Sequence, residues 1–335
     1  MKKLLLTASV VFFMFSCQKD NESTVNAAQP NATPSAIASI ENRGCASEQM
    51  LALDLQKDPA LAARMANIET QTKNVLSTSR IVNGVIEIPM VFNVLYNTAA
   101  DNTSLAQIQS QVDALNKDFN ATNSDYNTAN NPYSSVRANI GIRFVLDRVI
   151  RKQSPKTIWY SEDGYMKIAA QGGMAPTSPT TKLNVWVVNN LASRTSGQLL
   201  GYAQFPGGSS ATDGYVCGNY CLGTIGTAAA PYNLGRTATH EIGHWMNLRH
   251  IWGDGNGCAS DLVSDTPLHD SPNFGVPAVG HRSTCSGTPL EMYMNYMDYT
   301  DDRGMYMFSL GQKSRMNALF AVGGARAHSD YKISF

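Results

Sequence analysis

The sequence lacks an excess of charge of either sign: 26 Lys and Arg face 26 Asp and Glu, and charged residues make up 16% of 335. A chain that binds polyanions usually carries a basic stripe, and none is found, so no nucleic acid is expected as a partner and the charge gives no argument for an acidic membrane surface. Past residue 16 no apolar run approaches the roughly 20 residues of a membrane-spanning helix. There is no internal repeat. What remains is a chain that is 43% hydrophobic, long enough for one sizeable domain or two modest ones.

The N-terminus departs from this plain composition. Met1-Lys2-Lys3 is a short basic start, Leu4 to Phe15 is apolar but too short to span a bilayer, and Ser16-Cys17 closes the run. This is the layout of a lipoprotein-type signal peptide over residues 1–16, with Cys17 as the lipidated first residue; an ordinary signal cut nearby is the alternative. Either predicts an exported chain, held at the cell surface or outer membrane or released by processing, in an oxidising compartment. The membrane is a partner only through that anchor. Five cysteines then remain, Cys45, Cys217, Cys221, Cys258 and Cys285, an odd number that leaves one thiol to explain.

Residues 17–44 are rich in Asn, Ala, Ser, Thr and Pro without apolar periodicity, the composition of a flexible tether. Residues 45–79 predict two short helices, the first capped by Ser47, the second opened by Asp58-Pro59. Two short helices after a tether make a pro-segment or docking arm rather than a domain. The main domain covers 80–335. Alternating Ile86, Ile88, Met90 and Phe92 predict a strand over 85–96, and Ser104 opens a helix with Leu105, Ile108, Val112, Leu115 and Phe119 at helical spacing. Further strands are expected at 139–147, 182–188 and, as an exposed edge, 199–205. The pattern is α/β or α+β.

The chemistry concentrates in His240-Glu241-Ile242-Gly243-His244-Trp245-Met246-Asn247-Leu248-Arg249-His250. Histidines four apart share one face of a helix, so two imidazoles reach one metal ion and Glu241 beside them can poise a water. His250, six residues further, returns to that ion only if the helix stops and the chain bends. Asn247 stands where the bend is needed, and Asn tolerates the left-handed conformation. Three neutral imidazoles leave tetrahedral zinc one open position, the mark of a catalytic site.

This extended motif resembles that of the metzincin metallopeptidases. Asn247 and the flanking His250-Ile251-Trp252-Gly253 are similar to the pappalysin-type branch with its bacterial members. The resemblance covers residues 80–325 and is strongest over 236–270 and 291–320. It implies that Asn295-Tyr296-Met297-Asp298-Tyr299 is the methionine turn, with Met297 as an apolar floor under the imidazoles. It also implies that Tyr299 donates a hydrogen bond to the oxyanion.

Asp261-Leu262-Val263-Ser264-Asp265-Thr266-Pro267 resembles a calcium loop of the same branch, with Asp261, Asp265 and Thr266 as ligands; a merely solvated acidic loop is the alternative. Cys258 and Cys285 match a pair that forms a disulfide in relatives. Cys217 and Cys221 flank a turn-prone tripeptide and suggest a short disulfide loop. Cys45 is then the odd thiol, a candidate latency switch that would occupy the open metal position, as pro-segment cysteines of some relatives do. Met305, where some relatives place an acidic residue that selects basic side chains, hints at an apolar or mixed preference.

The resemblance implies a metzincin-like fold: a twisted mixed sheet with two helices above, an irregular lower subdomain with a C-terminal helix, and zinc in the cleft between. It further implies a monomeric, secreted zinc endopeptidase made as a latent zymogen, acting on proteins or peptides laid along the edge strand. The alternative is a catalytically silent, zinc-containing surface lipoprotein that binds rather than cuts.

Overall fold

The computed structural model describes residues 42–77, 85–126, 131–255, 257–327 and 332–334. The expected signal peptide and most of the tether lie outside these residues. The described helices are α1 (Ser47–Lys57), α2 (Leu61–Ser77), α3 (Leu105–Phe119), α4 (Arg236–Trp245) and α5 (Leu310–Ala318). None is long and apolar enough to cross a membrane.

The main sheet is built around β1 (Val85–Tyr96). Parallel partners flank it, β2 (Ile142–Gln153) on one side and β4 (Leu183–Val188) on the other. A small separate sheet joins β3 (Trp159–Tyr160), β5 (Leu191–Ser193) and β6 (Gly197–Gln198). Beyond β4 the main sheet continues through parallel β8 (Tyr215–Gly218) to antiparallel β7 (Gly201–Ala203) at the edge, and β9 (Lys332–Ser334) pairs with the start of β1.

Parallel neighbours require a crossover, which α3 supplies between β1 and β2. Ser104 caps α3 by accepting from the Gln107 amide at 3.1 Å. Its stripe of Ile108, Val112, Leu115 and Phe119 is buried in one cluster with Ile86, Ile88, Met90 and Phe92 of β1. Each such side chain taken fully from water contributes roughly 1.5–3 kcal/mol. The same cluster receives Ile242 and Trp245 of α4, so the helix bearing the histidine pair is seated by ordinary apolar packing.

Several expectations shift. β2 starts at Ile142 because Asn139 forms a turn onto the Gly141 amide at 2.9 Å and Gly141 has φ 80. The edge strand shrinks to Gly201–Ala203, and β8 went unseen because a strand of four residues that ends on Gly218 carries too little periodicity. Cys217 and Cys221 form no disulfide. Both are buried thiols, and Cys221 Sγ is turned to the Leu200 and Gly218 carbonyls, 3.2 and 3.3 Å away. Ser47 does not cap α1; Ala46 takes the N-cap position and the Ser47 hydroxyl points elsewhere.

From Leu248 to Ser309 the described chain contains no α-helix and no named strand, one 3-10 turn at Asp302–Gly304, and the expected Cys258–Cys285 disulfide. It packs around Ile251, Trp252, Met292, Tyr293, Met294, Tyr306 and Met307. Helix α5 follows, closed at its start by a capping box between Ser309 and Gln312.

Candidate metal centre and cleft

Helix α4 stacks His240 and His244 one turn apart and then ends in a Schellman arrangement. The Leu248 amide reaches the Gly243 carbonyl at 2.9 Å and the Asn247 amide the His244 carbonyl at 2.9 Å, with Asn247 at φ 67. That single left-handed residue folds the chain back, so His250 joins the pair.

The Nε2 atom of His244 lies 3.2 Å from that of His240 and 3.1 Å from that of His250. The opposite nitrogens are each occupied: His240 Nδ1 donates to the Tyr296 carbonyl at 2.7 Å and His244 Nδ1 to the Leu248 carbonyl at 2.9 Å. His250 Nδ1 lies 2.6 Å from the Asp254 carboxylate. A carbonyl only accepts, so the Nδ1 protons of His240 and His244 are assigned and their Nε2 lone pairs face inward. Lone pairs crowded this closely repel unless a cation lies among them. Ligands of tetrahedral zinc at about 2.05 Å would stand about 3.3 Å apart, so the residues fit that ion. Burial, then the neighbouring imidazoles, holds His240 well below its usual range and His244 down to about 3; both are neutral, as ligands must be.

Beneath them Met297 is fully buried, and a Cβ added at Gly243 would meet its sulfur at 2.4 Å. Gly243 in the motif therefore makes room for the methionine. The turn holds itself: the Met297 amide donates to Asn295 Oδ1 at 2.9 Å and the Asp298 amide to the Asn295 carbonyl at 3.1 Å. The Trp252 ring stacks on His250 at 4.3 Å, and Tyr299 packs its edge against both.

The N-terminal arm fills the cleft. Gly44 and Ala46 bond to Leu200 and Gly201, so the arm meets the start of β7 through a parallel bridge at Cys45. The Cys45 sulfur joins the three imidazoles, all four ligand atoms lying within 4.8 Å of one another. Glu241, buried, accepts from the Ser47 hydroxyl at 2.9 Å and the Cys45 thiol at 3.5 Å. Burial pushes its carboxyl up to about 7 against those two bonds. The Tyr299 hydroxyl donates to the Cys45 carbonyl at 3.3 Å. Ser47 also accepts from the Ala203 amide at 2.8 Å.

Arg43 and Gly44, expected in the flexible tether, are docked. The Arg43 guanidinium, 3% exposed, bonds Asp302 at 2.6 Å, Thr237 and the Thr300 carbonyl at 3.3 Å each, over the Tyr232 ring. Met305 is buried in the core; the carboxylate of this region is Asp302, three residues earlier, braced by the Leu234 amide at 2.8 Å. Sequence reasoning passed over Arg43, Asp254 and Asp302, and gave Ser47 only a helix cap. Asp254 stands four residues after His250, a spacing that could have marked it.

Asp261 and Thr266 come together, the Thr266 hydroxyl lying 2.9 Å from both Asp261 oxygens and 3.1 Å from the Val263 carbonyl. Asp265 does not join them. Its carboxylate accepts from Ser309 at 2.7 Å and the Gly311 amide at 2.8 Å, capping α5.

Two imidazoles on a helix and a third from the chain that folds back beyond it, a buried glutamate beside them and a methionine floor define a zinc-dependent metallopeptidase of the metzincin type. Residues 177–321 match the peptidase M43 family described as pregnancy-associated plasma protein-A. The chain is 32% identical over 247 residues to extracellular metalloprotease 1 of Coccidioides posadasii, covering 70% of this chain and 77% of that one. It is 34% identical over 230 residues to an extracellular metalloprotease of Pyricularia oryzae, covering 67% and 70%. Among solved structures it resembles a Tannerella forsythia promirolysin mutant (TM-score 0.76, 37% identity, 85% of this chain and 96% of that one). It also resembles mature mirolysin with a cleaved peptide (TM-score 0.68, 39%, 73% and 95%). The chain belongs to the pappalysin family and is a metalloendopeptidase.

Proposed function

We propose that this chain is an exported zinc endopeptidase made latent by residues 45–79 and their approach through Arg43. The convergence of three Nε2 atoms, each ring anchored through its Nδ1, carries the reading. Zinc bound by His240, His244 and His250 supplies Lewis acidity, polarising a carbonyl and lowering the pKa of water. Glu241 takes a proton from the attacking water and returns it to the leaving amine, a role its place beside the imidazoles allows. Tyr299 donates to the developing oxyanion, as it donates to the Cys45 carbonyl in the latent form. A substrate strand lies against β7, whose paired groups the arm now occupies.

Asp302, with Tyr232 and Thr237, takes a basic side chain in place of Arg43, which supports selection of arginine or lysine rather than an apolar residue. Cys45 is the latency switch, and Ser47 adds a second contact by holding the Glu241 carboxylate. The likeness to promirolysin over a larger share of the chain than to mature mirolysin supports this zymogen reading. Asp261, Thr266 and the Val263 carbonyl form a calcium site; burial raises Asp261 to about 6, a cost a hard cation offsets. Asp265 acts instead at α5. Export follows from the signal-like N-terminus and the extracellular naming of the relatives, and Cys17 is the lipid anchor.

The test is zinc content and casein cleavage of the chain beginning at Cys17, against Glu241→Ala. Zinc near one per chain, with cleavage lost in the variant, is expected. Zinc without cleavage, even after the arm is cut away, would replace the peptidase by a binding lipoprotein.

A further inference from the structure

Arg315 on α5 is buried and triply engaged. Its Nε donates to the carbonyl of Asn247, the left-handed residue that returns His250, at 2.8 Å. Its two terminal nitrogens form a fork on Glu69 of α2, at 2.9 and 2.6 Å. Nearby, Arg64 Nε donates to the Gly207 carbonyl at 2.7 Å, and a Cβ at Gly207 would meet Ile68 at 3.1 Å. Helix α2 thus covers the chain that continues from β7 past Phe205, whose ring sits 5.3 Å from His244.

The arm therefore follows the edge of the cleft in one direction. Arg43 lies at Asp302, Cys45 at the imidazoles, Ser47 at Ala203, Arg64 at Gly207 and Glu69 at Arg315. The two ends are of opposite charge, and the arm answers each with its complement. At the far end Arg315, first, and then Lys73 and Arg249 draw the Glu69 carboxyl below its ordinary range; Arg249 is itself paired with Asp254 at 3.7 Å. When the arm leaves, the Nε bond to Asn247 keeps the Arg315 guanidinium oriented while both terminal nitrogens lose their partner. A pre-oriented guanidinium fork matches a carboxylate.

We infer that Arg315 forms a carboxylate-binding subsite in the activated enzyme, selecting substrates with an aspartate or glutamate side chain at the end of the cleft opposite the basic residue held by Asp302. This rests on the peptidase reading and on removal of the arm. The arm meets Gly207 through Arg64 before Glu69 meets Arg315, so the acidic residue stands on the far side of the imidazoles from the basic residue held by Asp302.

Quenched peptides with a fixed arginine for Asp302, and Asp or Asn scanned across the positions on the other side, test this on full-length enzyme activated by limited proteolysis. One position should show kcat/KM about tenfold higher for Asp than for Asn, the value of a charge-assisted pair. In Arg315→Gln the ratio at that position should fall to about one, and in Arg315→Lys it should be intermediate, with zinc content per chain measured for each. No acidic preference at any position, or a ratio unchanged in Arg315→Gln while both rates fall together, would overturn the subsite and leave Arg315 as a brace of the bend. Cleavage of none of the peptides by the activated parent enzyme would remove the peptidase reading and the subsite together.

Discussion

The halves of the molecule on either side of the cleft are built by different means. Above it, parallel strands and two helices bury a continuous apolar cluster, and α4 emerges with His240, Glu241 and His244 already spaced by helix geometry. Below it, residues 248–309, without an α-helix among those described, deliver His250, Met297, Tyr299 and Asp302. Loops bury polar groups that must be answered one by one. Thus Asn295 closes the methionine turn with Gln312, Asn273 joins Glu291 to Asp298, and Asp302 takes backbone amides of the segment entering α4. The regular half sets the spacing of the reacting groups, and the irregular half sets what surrounds them.

The sharpest test of this division is at the reacting groups. Glu241→Ala should lower kcat/KM by about 10²–10⁴-fold with zinc retained, the usual value of a general base. His250→Ala, from the other half, should cost zinc itself, read as metal content. Equal zinc in both variants would break the assignment of the lower half as a ligand donor.

Asp302→Asn should weaken cleavage at basic residues, relative to neutral ones, by about 2–5 kcal/mol in transition-state terms, the cost of breaking a buried charged pair. Relative rates on paired peptides measure it, and an unchanged ratio would put the specificity elsewhere. Replacing both Cys258 and Cys285 by serine should cost about 2–4 kcal/mol, and hydrogen exchange should rise in 248–309 rather than in the sheet. A uniform rise would mean the two halves unfold as one.

Asp261 supplies a pH test. Its folded-state carboxyl stands at about 6 and its unfolded one near 3.8, so between these values the folded chain holds more protons. Without calcium, stability should therefore fall as pH rises from about 4 to about 6, by up to about 3 kcal/mol. Millimolar calcium should remove the fall, and Asp261→Asn should lack it, as read from Tm against pH. The smallest effect is expected at the bend: Asn247→Ala should cost about 1–2 kcal/mol at φ 67, and Asn247→Gly much less.

Legibility followed the same division. β1, α3 and β4 were read almost to the residue, because alternation in β1 and a 3.6-residue stripe in α3 are enforced by burial on known faces. α5 was legible through its capping serine. The loops were legible only through the family resemblance, which supplied Met297, Tyr299 and the Cys258–Cys285 pair. The Met305 side chain goes to the core and the Asp265 carboxylate caps α5, placements that a resemblance in sequence does not carry. Ser47 misled for a local reason: a serine at a helix start is ordinarily a cap, and a contact with Glu241, 194 residues away, leaves no mark on the local pattern.

By itself the sequence determined the histidine pair, the glutamate beside it and the asparagine that ends the helix, because these follow from helix period and backbone sterics within eleven residues. Only the tertiary structure decided what enters the cleft. Arg43 meets Asp302 across 259 residues and Glu69 meets Arg315 across 246. Long-range electrostatic pairs have no period along a chain; they exist only once the arm lies beside β7.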